Sequence, residues 1–142
     1  MKASEEMYGL MQKHLGYSDE EMAAFRNNPA NEAVLARAPE LMNKTIVFEV
    51  IESSGCNSHH KKGDRFYFDG AGNLLTALNP KRVCIYALQA MLPVIFASNE
   101  LMYNDVDPNK LKFRHAGCFD VGVKCGGWGR IILRYSMEDR KK

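Results

Sequence analysis

The hydrophobic pattern of the chain changes near residue 44, and this change constrains the fold more than any other feature. Before it, apolar residues recur at helical spacing, whereas a run of β-branched and apolar residues begins at Thr45. Helices followed by strands around one central helix are typical of the α+β class. The sequence predicts a helical N-terminal segment, residues 1–43, packed on a compact α+β module, residues 44–142. The module should hold a small, mainly antiparallel sheet, and the whole should form one structural domain.

Capping signals predict three helices in the N-terminal segment. Ser4 is placed to cap a first helix that ends at Gly16. Ser18 and Glu21 form a capping-box pattern at the start of a second helix, and Pro29 suits the first turn of a third. Because these helices are amphipathic, they must bury a face on the module or on a second subunit. A homo-oligomer formed through them is therefore one expectation.

The module shows the patterns of strands, one helix and a final hairpin. The predicted elements are strands at 45–51 and 64–68, a helix from Pro80 that Pro93 bends or interrupts, and a hairpin that pairs 119–124 with 130–137. The hairpin rests on the alternation of Phe119, Val121 and Val123 with polar residues and glycine, which is typical of a half-buried strand.

Composition limits the partners and the compartment. The net charge of +2 is too small to indicate a nucleic-acid surface. The longest apolar stretch, Ala87 to Ala97, is too short to span a bilayer, and the N-terminus lacks the apolar region of a signal peptide. The sequence predicts a cytoplasmic protein with no nucleic-acid and no membrane partner. Thiols stay reduced there, so the four cysteines are expected to be ligands, nucleophiles or core residues.

Cysteines and histidines far apart in the chain form a candidate metal site. Cys56, His59 and His60 lie in a predicted turn, and these residue types are the ligands that zinc and soft transition metals prefer. The alternative is a solvated polar loop. Cys118 and Cys125 complete a four-ligand set with Cys56 and His60 if Cys125 lies past the end of its strand. Otherwise Cys118 is a small buried hydrophobe and Cys125 a turn residue.

Cys84 is a second kind of candidate. It lies in the first turns of the predicted helix from Pro80, where backbone N–H groups favour a thiolate. It also fits the apolar stripe of that helix, as a buried structural cysteine does. Asp64 is a turn residue, a partner that orients a ligating histidine or, with a neighbouring base or metal, a catalytic residue.

Three motifs together resemble a family of small uncharacterised bacterial and archaeal proteins. They are Gly55-Cys56-x3-His60-x2-Gly63-Asp64, Cys84-x3-Leu88-x2-Met91-Leu92-Pro93 and Cys118-x-Asp120. The family pattern is Gly-x-Cys-x3-His-Lys-x-Gly-Asp, a Cys-Pro that opens a helix, and a late Cys-Pro-Asp. This chain lacks the proline after Cys84 and has Phe119 in the late motif. The resemblance spans residues 45–137, implies no established activity, and draws attention to Cys56, His60, Gly63, Asp64, Cys84, Cys118 and Asp120.

Three function classes follow from these residues. The first is a protein that binds a metal ion, zinc or iron, or a metal-bearing cofactor through Cys56, His60, Cys118 and either Cys84 or Cys125. The second is a thiol-dependent enzyme acting on a small molecule, with Cys118 or Cys84 as nucleophile and His60 as base. The third is an oligomeric accessory or assembly module.

Overall fold

A computed structural model describes residues 2–140 and divides the chain into two compact units, Met1–Leu41 and Met42–Lys142. The described residues form four α-helices and one four-stranded antiparallel sheet. Four helices and an antiparallel sheet in largely separate parts of the chain are the α+β class, so the predicted fold class is confirmed.

The first unit is helical, and its caps are those the sequence predicts. Its helices are α1 (Glu5–Leu15), α2 (Asp19–Arg26) and α3 (Pro29–Met42), the last running just past the unit boundary. The Ser4 hydroxyl accepts a hydrogen bond from the N–H of Met7, and Ser18 and Glu21 form both bonds of a capping box. Gly16 ends α1 with a positive φ of 71°, which glycine adopts without strain.

Tyr8 lies at the centre of this helical unit. It is buried with Met22 and Leu35 in one cluster. The Arg26 guanidinium lies 4.1 Å from the centre of the Tyr8 ring and donates two hydrogen bonds, of 3.0 and 2.7 Å, to the Glu5 carboxylate. The cation is therefore shared between an aromatic face and a bidentate partner, which fixes α2 against α1.

The second unit is built on a long pairing between strands far apart in sequence. Its strands are β1 (Lys44–Ser54), β2 (Arg65–Asp69), β3 (His115–Gly117) and β4 (Arg130–Asp139), in the order β2-β1-β4-β3. β1 pairs with β4 from Lys44 opposite Asp139 to Ser54 opposite Arg130, with one irregularity between Val50 and Glu52. Alternate residues of β4 are buried, as period-two patterning requires: Ile131, Leu133, Tyr135 and Met137.

One long helix, α4 (Ile85–Tyr103), packs against β3, β4 and the short 3-10 helix Pro108–Lys110. Its inner side buries Ala87, Met91 and Ile95. Among residues 2–140 it is the one helix long and apolar enough to cross a membrane by length and composition. The core helix of a globular unit passes the same test, and 33% of this window in α4 is buried.

The predicted helix start and the predicted hairpin are wrong. The helix begins at Ile85, five residues after Pro80, and it continues through Pro93, which lies on its exposed side. Segment 119–124 forms no strand, and β4 pairs with β1 and β3 instead. The reason is the Asp120 side chain, which accepts the N–H of Gly122 and so takes a donor that a strand ladder would use.

Gly55 and Gly129 should be essential at the point where β1 ends and β4 begins. A side chain at Gly129 would overlap the carbonyl group of Gly55, whose own φ is +61°. We therefore expect Gly129→Ala to lower the free energy of unfolding by about 1–3 kcal/mol or more, measured by urea denaturation. Gly117→Ala is the matched control, because its added carbon lies 3.6 Å from Ile132 in ordinary contact. Equal stability of the two variants would contradict the proposed close approach.

Candidate functional site

Three segments meet near the first turn of α4: the loop 55–64, the start of the helix, and the loop 118–129. The Nε2 atom of His60 accepts a hydrogen bond of 3.3 Å from the N–H of Cys84. The Tyr86 ring stacks on the Phe119 ring with centroids 6.0 Å apart. These two contacts tie the helix start to both loops.

Loop 55–64 is a set of tight turns, and Asp64 helps to form one of them. Its carboxylate accepts the N–H of Lys61 at 3.0 Å. The N–H of His59 donates to the Cys56 carbonyl at 3.0 Å, and His59 itself has a positive φ of 59°. The Ser53 hydroxyl donates to the His60 carbonyl. Asp64 therefore shapes the backbone that carries His60, which agrees with the turn interpretation of this residue.

His60 is a buried, neutral histidine. Its side chain is packed edge-on against Phe66 with ring centroids 4.9 Å apart, and only 3% of the residue is exposed. Burial lowers the pKa of His60, and the charge of Asp64 offsets this only in part. Because Nε2 accepts the Cys84 N–H, the ring proton lies on Nδ1. The Nε2 lone pair is therefore occupied, and His60 holds the Cys84 backbone in place.

Cys84 is the N-cap residue of α4, and its sulfur lies among hydrogen-bond donors. Its carbonyl accepts the N–H of Leu88 as the first bond of the helix. Burial raises the pKa of the Cys84 thiol, but the N–H groups of Ala87 and Tyr86 and the Ser58 hydroxyl together outweigh it. The net pKa lies below the ordinary value of 9.0. The sulfur makes no close capping hydrogen bond, so the helix amides act on it mainly as aligned dipoles. Cys84 thus has the setting of a stabilised thiolate.

Cys118 and Cys125 lie in different surroundings. The Cys118 sulfur accepts the N–H of Ile131 at 3.3 Å and lies 3.7 Å from the Asp120 carbonyl, to which it donates. It is thus bonded into the end of the β3–β4 pair. Cys125 is exposed at the end of the short 3-10 helix Val123–Cys125.

The predicted four-ligand metal site is not assembled in the part of the chain described. Residues 2–140 contain no group of three or more His, Cys, Asp or Glu side chains placed to hold one ion. The physical reasons are local: the Cys118 sulfur is bonded to the backbone, Cys125 faces solvent, and the Nε2 atom of His60 is occupied by Cys84. Cys56 is half-buried in its turn.

An open groove of about 330 Å³ lies elsewhere, along the outer half of β1. Its lining is Ile51, Glu52, Ser53, Ser54, Lys62 and Arg130. Charges of both signs line this groove, and neither Cys84 nor His60 belongs to its lining.

Sequence reasoning missed the two groups that define the site. Ser58 carries no pattern that marks it as a donor to a sulfur 26 positions away in the chain. The role of Asp120 was also missed: its carboxylate accepts the backbone N–H groups of Gly122, Trp128 and Gly129. An aspartate two residues before a glycine is a signal for a turn of this kind.

Thiol labelling as a function of pH should reveal the Cys84 thiolate. Since its pKa is lowered, we expect the Cys84 peptide to be alkylated at lower pH than free cysteine, with mass spectrometry assigning the site. Ser58→Ala should move this profile to higher pH, because one donor is lost. Cys125→Ser is the control and should leave the profile in place. A Cys84 profile that coincides with that of free cysteine would contradict the site.

His60 should make stability depend on pH. Its folded pKa is lowered from 6.5, so below that pH the unfolded chain binds a proton that the folded chain resists. The contribution of His60 is complete above pH 6.5 and is lost as the pH falls through the folded pKa. We expect His60→Gln to lose less stability than wild type between about pH 7 and 5, by urea denaturation. The exposed His14→Gln variant should follow wild type, and a His60→Gln curve parallel to wild type would refute this role.

Comparison with known proteins leaves the function to be argued from this geometry. No family model matches the chain, no curated protein matches it, and no solved structure matches it.

Proposed function

We propose that this chain acts through Cys84, as a thiol-dependent enzyme whose thiolate attacks a small electrophilic molecule. One observation carries the proposal: Cys84 caps a 19-residue helix, and the donors around its sulfur outweigh burial and lower the thiol pKa. The thiolate is the reactive form of cysteine, so a lowered pKa raises the reactive fraction near neutral pH.

The groups around Cys84 have two different roles, stabilising its charge and positioning its backbone. Ser58 and the amides of Tyr86 and Ala87 stabilise negative charge on the sulfur. His60 fixes the N-cap backbone through its bond to the Cys84 N–H, so it is a positioning residue. Because its Nε2 lone pair is engaged there, the thiol proton leaves to solvent, and the helix amides take the part that an imidazolium plays in cysteine–histidine pairs. His60 therefore has a different role from the general base that the sequence suggests.

The chemical step is a nucleophilic attack by sulfur. The Cys84 thiolate donates an electron pair to an electrophilic carbon or sulfur, and the leaving group departs with its bonding pair. With a conjugated carbonyl compound the sulfur instead adds to the double bond, and the displaced electron pair moves onto the substrate, which takes a proton from solvent. Water hydrolyses a thioester formed in this way to a carboxylate and the Cys84 thiol. A second thiol attacks a mixed disulfide, takes its outer sulfur into a new disulfide and releases the Cys84 thiolate. Cys84 is half-buried, so small substrates reach the sulfur more readily than bulky ones.

The described residues fit thiol chemistry better than zinc or iron binding. Metal binding needs several ligands on one ion, and Cys56, His60, Cys118 and Cys125 are engaged or oriented in separate ways. Thiol chemistry needs only one activated sulfur. Elemental analysis of protein expressed with supplemented zinc and iron separates the two: less than about 0.2 equivalents favours thiol chemistry, and a full equivalent that Cys56→Ser removes favours the metal.

The test is competition among the four cysteines for small electrophiles. Full-length protein is mixed with a limiting amount of a small disulfide, a thioester or a conjugated carbonyl compound, and the adducts are assigned by mass spectrometry. We expect Cys84 to react first, about threefold or more faster than exposed Cys125 at neutral pH. Cys84→Ser should remove the fast phase, whereas Cys125→Ser should preserve it. Reaction of Cys125 ahead of Cys84 with all three reagents would refute the proposal.

A further inference from the structure

A cluster of large apolar side chains is exposed beside the first turn of α4. Tyr86 is 54% exposed, and the loop 118–129 adds four residues that are 57–77% exposed. Together they form the apolar loop surface: Tyr86, Phe119, Val121, Val123 and Trp128. Soluble monomers rarely expose so many large apolar residues in one place unless the surface has a partner.

The shape of this surface is fixed by Asp120. Its carboxylate accepts backbone N–H groups from Gly122, Trp128 and Gly129, at 2.9–3.2 Å. A side chain at Gly127 would overlap this carboxylate, so the loop closes tightly around it. Phe119 is held by its stack on Tyr86. These contacts therefore hold the loop in one conformation, in which its apolar side chains point to solvent.

Positive charge accompanies the apolar side chains. Lys81 and Arg82 are exposed just before α4, and Lys124 is exposed within the loop itself. The acidic group of the loop is Asp120, whose negative charge is already met by three backbone amides; the same amides hold the pKa of this carboxyl below its usual range. Three exposed basic residues therefore lie in the same two segments of the chain as the apolar loop surface.

We propose that the apolar loop surface docks on an anionic membrane surface. Trp and Tyr rings favour the headgroup region of a bilayer, valine and phenylalanine insert among the first methylene groups, and Lys and Arg attract anionic headgroups. This chain presents all three kinds of group on one rigid loop and the adjoining helix turn. The mode is peripheral: α4 keeps its packing on β3 and β4, and no segment crosses the bilayer.

Charge complementarity selects a membrane over a second copy of the chain. A symmetric dimer through this surface would bring together two copies of a patch that carries the same three basic residues, Lys81, Arg82 and Lys124. Like charges at an apolar contact oppose association. An anionic lipid surface offers the opposite charge. Docking of this kind requires no membrane-spanning segment.

Trp128 gives a direct readout, because it is the one tryptophan in the sequence. Full-length protein is titrated with vesicles of phosphatidylcholine containing about one-third phosphatidylglycerol, and with pure phosphatidylcholine vesicles. With the anionic vesicles we expect a blue shift of Trp128 emission and co-sedimentation of the protein. Binding to the neutral vesicles should be at least about tenfold weaker, and added salt should weaken binding to the anionic ones. No shift and no co-sedimentation would overturn the proposal.

Variants separate this surface from unspecific binding. Phe119→Ser should reduce co-sedimentation about tenfold. Val123→Asp should have the same effect, and because this side chain is 77% exposed, the change should disturb no packed contact. Phe113→Ser is the matched control, since Phe113 is 78% exposed but lies outside the loop, and it should bind as wild type does. Loss of binding in the Phe113→Ser control alone would overturn the proposal. A shift of Trp128 emission that follows protein concentration without vesicles would also overturn it and would indicate self-association. The outcome is independent of Cys84, because Cys84→Ser should bind normally.

Discussion

The pairing of β1 with β4 is the constraint on which the rest of the second unit depends. It joins residues 76 to 95 positions apart, from Ser54 opposite Arg130 to Lys44 opposite Asp139. At its far end Gly55 and Gly129 approach so closely that neither tolerates a side chain. Loop 55–64 leaves from one strand at this point, and loop 118–129 enters the other. Their mutual position is therefore set by the strand register.

From that end of the sheet, a short series of contacts determines the chemistry of Cys84. Loop 55–64 is tightened by Asp64 and carries His60 into the interior beside Phe66. His60 then holds the N–H of Cys84 and so fixes where α4 begins. The amides that lower the thiol pKa belong to the next helical turn, and Ser58 of the same loop supplies one further donor. The lowered pKa of Cys84 thus results from two backbone amides and one hydroxyl group, with no cation among its causes.

Local patterns predicted much of the fold and only part of the site. Caps at Ser4 and Ser18 and the strands at Thr45 and Arg130 follow from short-range rules, and they are found where expected. Segment 119–124 has an alternating pattern but lacks a partner, because the Asp120 carboxylate binds the loop amides before a ladder can form. Side-chain capture of backbone donors depends on three-dimensional closure, which hydrophobic periodicity does not encode.

The site was harder to predict for a related reason. The proximity of Cys84 to a helix start was readable, since a proline and two basic residues precede it. That His60 would bond to the Cys84 backbone was not, because the contact joins residues 24 apart through a loop whose turns involve a positive φ at His59. The resemblance drew attention to Cys56, His60, Asp64, Cys84 and Asp120, and the geometry gives three of them structural tasks: His60, Asp64 and Asp120 each hold backbone amides.

Tyr86 links the two proposals physically. Its N–H group acts on the Cys84 sulfur, while its ring stacks on Phe119 at the edge of the apolar loop surface. The backbone and the ring of one residue therefore belong to the thiolate setting and to the exposed surface at once. A partner that moves Phe119 acts on the first turn of α4, where the donors to the sulfur lie. Because the strength of a dipole–charge interaction falls with distance and angle, a small displacement of this turn changes the thiolate fraction of Cys84. Tyr86 is thus the residue through which the proposed docking would reach the proposed thiolate.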